Sequence, residues 1–198
     1  MRWFAPGVLA VLVASLAVSA LASPTTIGVF FDADATDCDT SVDPFMPFTV
    51  YVSAVLGTDA AAEGITQAEF RVDGLTGIVL SVTPTPAADV ALGNPTDGGG
   101  LVAFASCMAG QGLRHIVLLY TIVCSAPSPV LPRSVAVDRH PVPVDCWCPC
   151  RWGPCVGLCD CPVFTSMVVS GGHALINNGS CTVGLQSTAW SAVKLLWR

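Results

Sequence analysis

Six cysteines fall within sixteen residues, in the run CWCPCRWGPCVGLCDC from Cys146 to Cys161. Sulfur at that density can bind a soft metal, exchange with disulfides, or close bridges of its own. Zinc sites use ligand pairs two to four residues apart, with a second pair about a dozen or more residues away. Here the cysteines are separated by 1, 1, 4, 3 and 1 residues. No C-x-x-C occurs, so the thioredoxin-type motif is missing. The C-x-C pairs suit Cu(I) better than zinc. The remaining reading is disulfides, and the whole set supports it: Cys38, Cys107, Cys124, Cys146, Cys148, Cys150, Cys155, Cys159, Cys161 and Cys181. An even count behind an export signal reads as a disulfide framework. The cluster and the remainder are both even, so each set could close on itself. Bridges between C-x-C neighbours are strained, so those cysteines pair elsewhere. Disulfides lead; metal handling or thiol-redox chemistry at Cys146–Cys161 is the alternative.

Trp147 and Trp152 stand inside the same run and form a candidate platform for a sugar or a partner protein. The competing reading packs them over the bridges as the loop's own core. A second constellation is acidic: Asp32, Asp34, Asp37 and Asp39, with Asp43 beyond. Closely spaced oxygen ligands suit Ca²⁺. Counted from Asp32, the sixth position is Asp37, where an EF-hand needs Gly, and the twelfth is Asp43. The choice lies between a Ca²⁺ loop of another kind and a solvated acidic loop. Hydrolase motifs are missing: neither G-x-S-x-G nor H-E-x-x-H occurs. His115, His140 and His173 are far apart in sequence and read as surface or strand-edge residues. Asn178-Gly-Ser180 is a formal glycosylation sequon and reads as a turn.

The elements that position these residues are strands. Residues 1–22 read as an export signal: Arg2, an apolar run from Val8 to Ala20, and small residues Ala20 and Ala22 ahead of Ser23. The apolar run is short of the roughly 20 residues of a spanning helix. The chain has 14 acidic and 8 basic residues, a net charge of −6, and Lys194 as its only lysine. Such a balance repels phosphate backbones and argues against nucleic acid. An apolar fraction of 53% argues against disorder. Phe48, Val50, Val52, Ala54 and Leu56 share one face of a strand. Ala68, Phe70 and Val72 face inward in the next, with Glu69, Arg71 and Asp73 outward. Thr26–Asp32, Ile78–Val82, Leu101–Ala105, Ser134–Val137, Val163–Ser170 and Ala174–Ile176 supply further strands. His115–Cys124 is apolar on both faces, which predicts a doubly covered central strand. Short strands separated by turn signals predict a β-sandwich. Only the end differs: Trp190, Val193 and Trp197 lie at i, i+3 and i+7, one face of a short helix too marginal to stand alone.

Residues 27–123 resemble cohesin-type β-sandwiches through FTVYVSAV, GITQAEFRVDG and HIVLLYTIV. Cohesins bind dockerins, a role that a strand pattern does not by itself transfer. The ending INNGSC…STAWSAVKLLWR resembles that of a group of uncharacterised secreted bacterial proteins with a W-G-x-[VI]-K-x-L-Y-R tag. Trp190, Val193, Lys194, Leu196 and Arg198 match it; Ser191 replaces its Gly and Trp197 its Tyr. The resemblance implies that Trp190, Val193, Lys194, Trp197 and Arg198 are read as a recognition tail.

Together these predict an all-β chain, an immunoglobulin/cohesin-like β-sandwich over 23–183. A disulfide-rich loop at 145–161 and a short helical tail at 184–198 complete it. The predicted function is non-catalytic binding or structure in an exported protein: secreted, periplasmic or associated with the cell surface. Its partner is a protein or a carbohydrate, and it needs no cofactor, Ca²⁺ being the alternative.

Overall fold

The computed structural model describes residues 23–58, 60, 64–139, 154–158 and 166–178. Residues 1–22, read above as an export signal, most of the cysteine cluster, Trp147, Trp152, His140 and the C-terminal tail lie outside these residues. All regular structure among the described residues is β. The strands are β1 (Thr26–Phe30), β2 (Asp39–Thr40), β3 (Pro47–Val55), β4 (Ile65–Asp73), β5 (Ile78–Pro84), β6 (Val90–Asn94) and β7 (Gly99–Met108). They continue with β8 (Ile116–Ser125), β9 (Arg133–Asp138), β10 (Cys155–Leu158), β11 (Ser166–Val168), β12 (Ser170–Gly171) and β13 (His173–Ile176).

Two sheets enclose one core. The first has the order β12-β1-β3-β8-β5. The second runs β11-β10-β4-β9-β13-β2, with β7 also paired to β4 and β6 to β7. Val50, Val52 and Ala54 of β3 face Ala68, Phe70 and Val72 of β4 in the core, as the alternation predicts. Each valine or phenylalanine among them gains roughly 1.5–3 kcal/mol from burial, which drives the sheets together. The predicted β-sandwich is therefore the observed architecture.

β8 corrects one expectation. It lies second from the sheet edge, between β3 and β5, with one face buried and the other half-buried. Its register with β3 slips between Val52 and Ser53, where Val52 faces Tyr120 and Ser53 faces Leu118. Leu119 is thus an extra residue, and a one-residue shift exchanges the two faces of a strand. Before the bulge Val117 and Leu119 are buried; after it Tyr120, Ile122 and Cys124 are. The change of inward parity accounts for part of the apolar pattern; Ile116, Leu118 and Val123 face outward and are half-buried.

The strands at 155–158 and 90–94 were not expected. Cys155–Leu158 pairs antiparallel with β4 and so turns part of the predicted loop into sheet. Gly171 and Gly172 carry the chain from β12 in the first sheet to β13 in the second. A Cβ at Gly171 would stand 2.0 Å from the carbonyl oxygen of Val137, and one at Gly172 would stand 3.0 Å from the Cα of Gly28. Only glycine permits that crossing.

Candidate protein-binding surface

β5 and β6 are the unpaired edges of the two sheets, and the short 85–89 connection joins them. Large apolar side chains are exposed on both: Ile78 and Leu80 at 57% each, Leu92 at 54% and Val90 at 46%. No charged residue occurs from Gly74 to Ala88. Edge strands ordinarily carry charges that discourage association. This one has only a bulge between Val79 and Ser81 and a proline at its end. The bulge twists the edge away from simple strand addition, so contact falls to the side chains.

The β6 end of this surface continues across the outer face of the second sheet. Register places Leu92 beside Leu101, Leu101 beside Glu69, and Glu69 beside Cys155. Exposure falls along that row, from Leu92 at 54% to Leu101 at 9%, Glu69 at 4% and Cys155 at 2%. The described part of the cysteine cluster is thereby tied into the sheet at the far side of this face. Glu69, expected to face water, faces outward but is buried. Arg71 and Asp73 do face outward, and the Arg71 Nη2 donates to Asp73 Oδ2 at 2.7 Å.

Of the ten predicted half-cystines, Cys38, Cys107 and Cys155 are disulfide-bonded. Cys124 is not: it is a free, fully buried thiol, which corrects the expectation. The β8 bulge turns it into the core, opposite Phe48 and Val79. Burial pushes its pKa up to about 11. The set of four outside the cluster therefore cannot close on itself. The other six cysteines lie outside the described residues.

The acidic loop carries the choice between a Ca²⁺ site and a solvated loop. Asp32, Asp34, Asp37 and Asp39 do not converge on a metal site. Asp32 instead caps its own loop. Its Oδ1 accepts the Thr36 and Asp37 amides, each at 2.8 Å, and its Oδ2 accepts the Thr36 hydroxyl. Partial burial pushes the Asp32 carboxyl up, but these hydrogen bonds outweigh it and hold the pKa below the usual value.

The chain resembles no protein-family model and no curated protein. Solved cohesin modules are similar to it at low identity. One from a family 33 glycoside hydrolase of Clostridium perfringens shares 13% identity with a TM-score of 0.46, covering 80% of this chain and 98% of that one. A type I cohesin from Pseudobacteroides cellulosolvens shares 7% at a TM-score of 0.46, covering 79% and 94%. A non-cellulosomal cohesin from the archaeon Archaeoglobus fulgidus shares 15% at a TM-score of 0.44, covering 86% and 98%. Scores of this size carry no functional assignment; the sandwich rests on its own strand pairing.

A cleft of about 680 Å³ opens between the acidic loop and the turn before β8, lined in part by Asp34, Thr36, Thr85, Gln111, Leu113 and Arg114. Arg114 donates to the Ala35 carbonyl and joins the two walls. Among the described residues that line the cleft, Asp34 is the carboxylate, and no histidine or cysteine is among them. His115 lies just outside the cleft, exposed and in a left-handed conformation with φ 51°. His173 opens β13 and is exposed.

Proposed function

We propose that the protein is an exported, non-catalytic module that binds another protein through the side of its sandwich formed by β5 and β6. The observation that carries this reading is the exposure of Ile78, Leu80, Val90 and Leu92 on two edge strands, with no charge from Gly74 to Ala88. Apolar patches of that kind on a folded domain are contact surfaces more often than ornaments. Disulfides through the cysteine cluster hold the second sheet's far side, and Trp147 and Trp152 are a further candidate platform. Association with the cell surface fits the export signal. The competing metal or thiol-redox reading has less support, since Cys155 of the cluster is bridged.

The test is direct. Chain 23–198 is immobilised and its partner taken from the surface fraction of the producing cell. Leu80→Asp and Leu92→Asp each weaken that complex at least tenfold with the melting temperature unchanged. Equal affinity in both variants removes this surface from the function.

A further inference from the structure

A separate apolar patch lies at one end of the sandwich, and the chain itself supplies a segment to cover it. Phe45 is 75% exposed, Leu131 74% and Met46 59%. Phe45 is held in a left-handed conformation at φ 65°, which an aromatic residue rarely adopts. Its amide donates to the Ala126 carbonyl at 2.6 Å, so the backbone is pinned with the ring in water.

The last described residues sit beside this patch. The Asn177 Nδ2 donates to the Val130 carbonyl at 3.0 Å, next to Leu131. The Asn177 Oδ1 accepts the Val42 amide at 2.8 Å, three residues before Phe45. The chain therefore leaves β13 among the loops that display the patch. Residues 179–198 follow. Each extended residue spans about 3.3–3.6 Å, so the stretch from 178 to 187 reaches any point of this end.

The sequence of that segment fits what the patch lacks. Trp190, Val193 and Trp197 fall on one helical face, and Lys194 and Arg198 are the segment's charges. Asp43 is the only charge in the loops 41–47 and 126–132, and it is exposed. We propose that residues 187–198 dock on Phe45, Met46 and Leu131 of their own chain, with the basic end turned toward Asp43. The recognition tail then reads its own sandwich first.

Lys194 makes this measurable, because a protease specific for lysine can cut the chain nowhere else. The test uses intact chain 23–198, its mass verified. Cleavage at Lys194 is slow in the wild type and at least tenfold faster in Phe45→Asp and in Leu131→Asp. Both replaced residues are exposed, so the sandwich stays folded, and an unchanged melting temperature checks it. Equal cleavage rates in all three proteins overturn the proposal. Protection that fades on dilution overturns it too, because the patch would then be covered by a second copy.

Discussion

The hydroxyl of Tyr120 donates to the carbonyl of Leu101 at 3.2 Å, a bond from the first sheet to the second through the core. The Tyr120 ring also meets Phe70 edge to face, with centroids 5.9 Å apart at 78°. One side chain therefore joins β8 to both β7 and β4. Tyr120→Phe keeps the ring contact and loses the hydrogen bond, at an expected cost of about 0.5–1.5 kcal/mol. Tyr120→Ala also opens a cavity and costs about 3–5 kcal/mol. Urea denaturation of the two variants checks the ratio; equal losses would mean that the hydroxyl, not the ring, carries the contact.

Cys124 predicts an alkaline limit to stability. Its folded pKa, about 11, lies above the ordinary thiol value of 9.0. The unfolded thiol therefore loses its proton first as pH rises. The contribution is complete below pH 9 and is lost between pH 9 and 11, up to about 3 kcal/mol at one pKa unit per 1.36 kcal/mol. Burial raises the Tyr120 pKa as well, so that slope remains in any variant retaining the tyrosine. Cys124→Ala flattens the remainder. Identical pH profiles for wild type and variant would count against a neutral buried thiol.

The same residue fixes a parity. Ten cysteines less a free Cys124 leave an odd number, so at least one further cysteine has no partner within the chain. Thiol titration of unreduced, denatured monomer should find at least two reactive groups. A disulfide-linked dimer, with Cys124 as its free thiol, satisfies the same arithmetic. A count of zero in denatured monomer would show Cys124 to be bridged.

Asp32 should matter to stability without calcium. Asp32→Ala removes the acceptor for two amides and a hydroxyl, and should cost about 1–2 kcal/mol, as for a lost capping residue. The depressed pKa makes this contribution complete above the ordinary carboxylate value of 3.8 and lost as pH falls through the folded value. Melting curves in millimolar Ca²⁺ and in chelator should coincide. A rise in melting temperature with Ca²⁺ would restore a metal role for the loop.

Alternation alone determined the strands that bury one face. Phe48–Leu56 and Ile65–Asp73 announce themselves because side chains on a strand alternate with period two, a local property. The same rule misread β8, since a bulge at Leu119 depends on the partner strand and leaves no mark on the sequence. Val90–Asn94 and Cys155–Leu158 were missed for a related reason. They are short, contain glycine, and become strands only by pairing with β7 and β4. Cysteine counting could suggest bridges, yet whether Cys124 meets another sulfur depends on which way its strand faces. Exposure at Ile78, Leu80, Val90 and Leu92 follows from edge position, and an apolar residue reads the same at an edge as in a core. Local periodicity is written in neighbouring residues; sheet order, register and burial are decided by residues distant in the chain, and only the tertiary structure brings them together.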